Sequence, residues 1–349
     1  MEKIKLIIGA QVPHLCQIIT GFLMLKKQGY DIEFEYAAND GSQLTTMPAI
    51  RAEYRGQKLI YDMGDGYNVP ESVVEGAEAS DFYFKRSFSD KRNREIVPQY
   101  LEKMYPLGFN YHVTCKGNPV GEPLWKTLAK PLLGKTPDCW FRPSVFEGKA
   151  EKSTGNTVKI LFLTRLWNDH EPGFSDEENA ERTYINNMRI DIIRALRETY
   201  GDAFVGGLND NELSRAWAPD LIMPAKYTER RKYLQLLHSS DICIGSMGLF
   251  ESIGWKTGEY VAAAKAIVNE RFHYSVPGGY REGEHYLPFE TAEECLASVE
   301  ALVRDPEKLY AMKKANEIYY REYLKPEVLV ENSLKLVDSV LEKKDKNNT

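Results

Sequence analysis

The first 36 residues alternate in a way that few architectures accommodate. A short apolar run, Ile4–Ile8, leads into Gly9-Ala10. A segment over 16–27 follows, in which Ile18, Phe22 and Leu25, with Ile19 and Leu23 beside them, recur at helical spacing. Gly29 stands where a helix would stop, and residues 30–36 then alternate apolar and polar as a strand does. Strand, helix, strand in this order is a βαβ unit, and it implies a parallel sheet. Further strands are expected over 58–62 and 81–84.

The pattern breaks over 116–158, a stretch rich in glycine, proline and polar residues that reads as a connection between domains. It then restarts. Residues 158–165 form a strand ending in Arg165, and 184–200 form a helix with Ile185, Met188, Ile192, Ala195 and Leu196 on one face. Strands are expected over 203–207, 241–245 and 266–269, and helices over 233–237 and 258–264. The chain ends in helices over 292–302, 306–323 and 326–343, the last two opening on Pro306 and Pro326 in the first turn. The fold class is therefore α/β, with two doubly wound domains in tandem. The expected boundaries are 1–150, 151–325, a final helix 326–343 and a disordered tail 344–349. A length of 349 residues suits two domains. Ligands of such sheets bind at the carboxyl ends of the strands, which with two domains implies the cleft between them.

Composition narrows the function. The formal net charge is −6, which argues against nucleic acid as a partner bound through overall positive charge. Residues 1–150 carry 19 basic and 18 acidic side chains and residues 151–349 carry 26 and 33, a modest asymmetry that fits halves facing different partners. No run approaches the ~18 apolar residues of a membrane span. The start lacks a signal-peptide core, and the five scattered cysteines have neither metal-ligand nor redox spacing. A cytoplasmic protein with reduced thiols is expected.

Chemistry concentrates in residues 244–268. A buried strand runs through Gly245-Ser246-Met247-Gly248 into a loop and then a helix. Backbone N–H groups of such a loop can approach a phosphate, and the helix N-terminus adds positive potential. Glu251 lies in the loop and Glu259 in the helix, with seven residues between them. A carboxylate early in such a helix can accept hydrogen bonds from both vicinal hydroxyls of a ribose, and one in the loop can do the same for a sugar. The bland reading is that two glutamates at this spacing occur by chance and that Glu259 merely favours the helix dipole.

Here the sequence resembles the group-1, family-4-like glycosyltransferases of the GT-B fold, whose signature is Glu, seven residues, Glu. Residues 262–268 resemble that family's small-residue helix end and following strand. Val276-Pro277-Gly278-Gly279 and residues 282–287 resemble its glycine-rich loop, and Leu163-Thr164-Arg165-Leu166 resembles the strand end that opens its donor domain. The resemblance covers about 158–330. It implies two Rossmann-like domains, a nucleotide-sugar bound in the second, and a last helix crossing back to the first domain. Arg165 would face the donor diphosphate, and Gly254 with the backbone from Ser252 to Trp255 would cradle it. Glu251 would contact the sugar and Glu259 the ribose. The family's lysine about five residues after the arginine is His170 here, so Lys256 or Lys226 stands in for it. No metal or other cofactor is implied.

In the first half, His14 follows the first strand, as a general base, a sugar contact or an ordinary loop histidine. Asp62 and Asp65 are candidates for acceptor hydroxyls, although a turn at Asp65-Gly66 explains the second as well. Lys85 and Arg86 open a basic cluster over 85–94. It reads either as a solvated surface or as a contact with an anionic membrane or phosphorylated acceptor. Tyr105, Phe109, Tyr111 and Trp125 are either sugar-stacking or core aromatics.

The combined expectation is a metal-independent, retaining glycosyltransferase of polysaccharide biosynthesis. It would move a hexosyl or related group from a nucleotide-sugar to a hydroxyl of a saccharide or lipid-linked saccharide, in the cytoplasm or peripherally at the inner membrane face. Two alternatives remain: a GT-B epimerase or hydrolase of nucleotide-sugars, and a non-enzymatic two-domain nucleotide- or sugar-binding protein.

Overall fold

Burial of Ile4, Leu6 and Ile8, alternating with half-buried Lys5 and Ile7, sets one face of β1 (Ile4–Ile8) into the core. Helix α1 (Cys16–Lys27) follows, and β2 (Ile32–Tyr36) returns parallel to β1. The computed structural model describes residues 2–37, 47–120, 138–153, 157–170 and 172–347, and Trp125 lies outside them.

The first sheet departs from the wholly parallel expectation. Strand β3 (Ala49–Tyr54) runs antiparallel to both β1 and β4 (Gln57–Asp62). The β3–β4 turn is Arg55-Gly56, with φ of 52° and 73°. Two positive φ values suit a tight hairpin, but Arg-Gly carries none of the Asn-Gly or Asp-Gly signature that would have marked it in the sequence. β5 (Phe82–Lys85) and β6 (Met104–Pro106) continue in parallel, giving the order β2-β1-β3-β4-β5-β6. Helices α2 (Pro70–Ala79) and α3 (Asp90–Ile96) lie between β4 and β6 in the chain. Val73 and Ala77 of α2 join Ile60, Tyr83, Val97 and Met104 in one apolar cluster.

The second sheet is wholly parallel. It contains β7 (Ile160–Thr164), β8 (Phe204–Leu208), β9 (Ile242–Gly245), β10 (Ala266–Glu270) and β11 (Leu287–Phe289), in the order β11-β10-β9-β7-β8. Every residue of β7, β9 and β10 is buried, as a parallel sheet covered on both faces requires. The connections carry α4 (Asp176–Tyr200), α5 (Glu212–Trp217), α6 (Ala225–Thr228), α7 (Arg230–Ser239) and α8 (Trp255–Ala262), and α9 (Ala292–Arg304) and α10 (Pro306–Tyr319) follow β11. Alternate strand residues, Ile160 and Phe162, Ile242 and Ile244, Ala266 and Val268, meet Ile192 and Leu196 of α4 and Val299 of α9 in one core.

Helix α4 starts eight residues before its apolar periodicity does. A capping box holds that start: Ser175 N donates to Glu178 Oε2 at 2.8 Å and Glu178 N donates to Ser175 Oγ at 3.2 Å. The signal was in the sequence, masked by a first turn of Asp176-Glu177-Glu178 with no apolar face.

The last helix, α11 (Pro326–Asn347), packs on α1. Gly21 permits the approach, since a Cβ there would lie 2.2 Å from the Pro326 carbonyl oxygen. Tyr61 and Ser333 hydroxyls meet at 2.8 Å, and Asp338 accepts from Tyr54 and Arg55. The helix continues through Asn347, so residues 344–347 extend it rather than form a disordered tail. By internal packing the chain forms two units, one of Met1–Pro143 with Tyr274–Gly279 and Arg321–Thr349, the other of Ser144–His273 with Tyr280–Tyr320. Two Rossmann-like α/β units with the final helix returning to the first is the chain organisation expected from the GT-B resemblance. Among the described residues, no helix is long and apolar enough to cross a membrane.

Candidate functional site

In the second unit, β7 has β8 on one side and β9 on the other, so the chain reverses its direction of travel across the sheet there. Such a reversal opens a crevice at the carboxyl ends of the strands. Arg165 and Ser246 follow directly on the ends of β7 and β9.

One buried side chain, Arg189 of α4, ties these two strand ends together. Its Nη1 donates to the Arg165 carbonyl at 2.6 Å, its Nε to Ser246 Oγ at 3.0 Å and its Nη2 to the Met247 carbonyl at 2.9 Å. Burial lowers its pKa to about 10, which still leaves it charged at neutral pH. Glu270, at the end of β10, is also buried. Its Oε2 accepts the Met247 N–H at 2.6 Å, its Oε1 has no hydrogen-bond partner among the described residues, and burial raises its pKa. The Arg165 side chain is exposed, with its guanidinium stacked 4.2 Å from the Trp167 ring centroid. Asn186 of α4 fixes that loop through both Trp167 backbone groups at 2.8 Å.

The loop after β9 closes on itself, Gly248 N donating to the Ser252 carbonyl at 2.8 Å. Within it Phe250 and Glu251 both hold positive φ, 58° and 57°, a costly conformation for non-glycine residues and one that collects at functional sites. The Glu251 N–H donates to Glu181 Oε1 at 3.0 Å. The Glu251 side chain is 45% exposed, with its Oε1 3.8 Å from His273 Nδ1. Gly254 caps α8 with no side chain of its own, and its Cα sits so close to β9 that a Cβ would lie 3.0 Å from the Ser246 carbonyl oxygen. Gly254 therefore brings the start of α8 against Ser246, which Arg189 links to the Arg165 backbone.

Lys256, in the first turn of α8, stands 4.1 Å from the Tyr233 ring centroid. Burial lowers its pKa to about 8, against the pull of Glu259. Lys226 lies on the short helix α6, exposed, 5.2 Å from the ring of its neighbour Tyr227. His170 is exposed in the loop after β7. Of the two lysines offered in place of the family lysine, Lys256 is the one within reach of the charges of Glu259, Arg230 and Arg189.

Glu259 differs from the expectation. It is buried in mid-helix, and its carboxylate is already engaged: Oε1 accepts Nη1 and Nη2 of Arg230 at 3.1 and 3.2 Å, and Oε2 accepts the Tyr233 hydroxyl. Opening such a buried ionic contact from one side costs about 3–5 kcal/mol. A free carboxylate waiting for a ribose is not what the fold presents.

The first unit brings its candidates together at the carboxyl ends of β4 and β5, and spends most of them internally. Asp62 is buried and accepts from Lys85 Nζ and the Tyr83 hydroxyl at 2.7 Å each and from Gly64 N at 2.8 Å. Lys85 is buried too, over the Tyr67 ring at 4.6 Å. Arg86 is buried and donates to Asp65, whose other oxygen lies 3.6 Å from His14 Nε2. Burial would raise the Asp65 pKa, but the Arg86 charge and His14 override it and hold it at about 2. Lys85 and Arg86 therefore do not belong to a basic surface, and the exposed cations of that cluster are Lys91, Arg92 and Arg94 on α3. Tyr105 stacks on Phe82, and Phe109 and Tyr111 are buried.

Arg189, Arg230, Tyr233 and Glu270 were not singled out in the sequence. Arg230 sits in Glu229-Arg230-Arg231-Lys232, which reads as a solvated charge run, and Arg189 is one of several arginines along a polar helix.

No protein-family model matches this chain, and no curated protein does. Solved structures do resemble it. HepE from Anabaena, determined with UDP and glucose, is 12% identical over 96% of this chain and 100% of its own, with a TM-score of 0.43. A Listeria monocytogenes protein assigned as a UDP-N-acetylglucosamine 2-epimerase is 11% identical over 97% of this chain and 96% of its own, with a TM-score of 0.42. The C-terminal domain of a glycosyl transferase group 1 family protein from Francisella tularensis is 11% identical over 52% of this chain and 97% of its own, with a TM-score of 0.34. The likeness is one of structure at low sequence identity.

Proposed function

We propose that this chain is a GT-B-type glycosyltransferase that transfers a sugar from a nucleotide-sugar to a hydroxyl of a saccharide or lipid-linked saccharide, with retention and without a metal. The observation that carries the reading is the grouping at the β7–β9 reversal. Gly254 and Lys256 open α8 after the β9 loop that carries the half-exposed carboxylate of Glu251, and Arg189 ties the start of that loop to the backbone of Arg165 at the end of β7. Backbone N–H groups and two cations suit a leaving diphosphate, and a carboxylate beside them suits the hydroxyls of the sugar being released.

In this reading Arg165, Lys256 and the N–H groups from Ser252 to Trp255 stabilise the charge that develops on the diphosphate as the glycosidic bond breaks. Retention follows if the acceptor hydroxyl attacks from the face the diphosphate leaves, with a phosphate oxygen taking its proton. No protein base is then needed, and Asp62, buried among three donors, is not asked to serve as one.

The test is a product assay with a panel of nucleotide-sugars, run with and without saccharide acceptors and with EDTA. Acceptor-dependent release of nucleoside diphosphate, unchanged by EDTA, is expected, and Arg165→Ala should lower turnover by about 10²-fold. Donor consumption without acceptor would point to an epimerase or hydrolase, and binding without turnover to a sensor. Either result would overturn the transferase reading.

A further inference from the structure

The first two turns of α4 have no core to bury. Asp176-Glu177-Glu178-Asn179-Ala180-Glu181-Arg182-Thr183 holds one apolar residue, Ala180, behind the capping box at Ser175. A helix in a folded protein draws most of its stability from an apolar face, so an extension without one is kept for what its side chains reach. These reach both strand-end loops. Thr183 Oγ1 donates to Asp169 Oδ2 at 3.0 Å in the loop after β7, and Glu181 Oε1 accepts the Glu251 N–H at 3.0 Å in the loop after β9. Glu181 is half-buried, and among the described residues it forms no ion pair.

The backbone that Glu181 holds does not hold itself. Phe250 and Glu251 are successive residues with φ of 58° and 57°, and neither is glycine. Such residues persist only where the surrounding structure fixes them. The loop's own hydrogen bonds, Gly248 N to the Ser252 carbonyl at 2.8 Å and Ser252 N to the Leu249 carbonyl at 3.2 Å, pass over the peptide between Phe250 and Glu251. The N–H of that peptide goes to Glu181 instead. The main chain of Glu251 is therefore tied to α4, while its carboxylate stays 45% exposed, 3.8 Å from His273 Nδ1.

We propose that Glu181 is a positioning residue, which keeps Phe250 and Glu251 left-handed and thereby sets the Glu251 carboxylate for the hydroxyls of the transferred sugar. The proposal rests on the nucleotide-sugar reading above and divides the ligand: the sugar is read through Glu181 and Glu251, and the nucleoside diphosphate is not. A carboxylate suits this role because a charged acceptor holds an N–H more strongly than a neutral one.

Two measurements on the full chain test it. The first is amide hydrogen exchange resolved at Glu251, and it needs no ligand. Glu181→Ala keeps the helix, alanine being a strong helix former, and should speed exchange of the Glu251 N–H by about tenfold or more, the scale of one hydrogen bond to a charged group. Glu181→Gln retains an oxygen acceptor and should recover most of the protection. Unchanged exchange in Glu181→Ala overturns the proposal. The second is calorimetric titration with UDP, GDP, UDP-glucose and GDP-mannose. Glu181→Ala should lower the ratio of nucleotide-sugar to nucleoside-diphosphate affinity by about tenfold and leave UDP and GDP within about threefold of the wild type. An unchanged ratio overturns the proposal, because a merely structural role weakens all four ligands alike. Binding of none of the four overturns the proposed function itself, while the ligand-free exchange still reports whether Glu181 holds the loop.

Discussion

Replacing Arg189 with methionine tests whether one buried side chain builds the strand-end site. Its guanidinium makes three hydrogen bonds, to Arg165 O, Ser246 Oγ and Met247 O, at 2.6, 3.0 and 2.9 Å. Bonds from a charged donor are each worth about 1.5–3 kcal/mol, so three set a range of about 4.5–9 kcal/mol. Against this stands the burial that lowers the Arg189 pKa from 12.5 to about 10, which corresponds to about 3 kcal/mol recovered when the charge is removed. Arg189→Met should therefore destabilise the protein by about 2–6 kcal/mol. Equilibrium urea unfolding followed by circular dichroism measures it. With an m-value of about 2–3 kcal/mol/M, the affected transition should move down by about 0.7–3 M. Arg189→Lys keeps the charge but loses the planar fork, and should recover less than half of the loss. A shift below about 0.3 M in every transition would show that the fork holds nothing together, and the structural basis of the site would fall with it.

Asp65, held at about 2 by Arg86 and His14, lies below its unfolded value of about 3.9, so it adds stability above pH ~4 that is lost as pH falls towards 2. Asp65→Asn should flatten that part of an acid-unfolding profile, and an unchanged profile would contradict the assignment. Lys256, lowered to about 8, has the opposite sense. The unfolded chain binds its proton more readily between pH ~8 and ~10.4, so its contribution to stability rises with pH across that window. Diphosphate affinity should meanwhile fall above pH 8 as the ammonium is lost, and Lys256→Met should abolish that pH dependence in a titration with nucleoside diphosphate. At Gly21, where a Cβ would meet the Pro326 carbonyl at 2.2 Å, Gly21→Val should cost about 1–3 kcal/mol by forcing α11 away from α1, read as a lower thermal midpoint. A neutral result would mean that the two helices separate freely.

The sequence by itself determined the alternation of strands and helices, because the 2- and 3.6-residue apolar periods are local: α1 and β1 fall where periodicity put them, and the two-unit order follows. It also marked the loop and helix that hold Glu251 and Glu259. Tertiary structure decided everything that depends on pairing across distance. β3 turns back at Arg55-Gly56 because the backbone there takes positive φ, which no residue pattern announced. Arg189 joins two strand ends, Lys85 and Arg86 turn inward to Asp62 and Asp65, and Arg230 comes 29 positions along the chain to occupy Glu259. A charged residue looks the same in sequence whether it meets water or a buried partner. Only packing removes the water, and removing it fixes which carboxylates are already taken and which remain for a ligand.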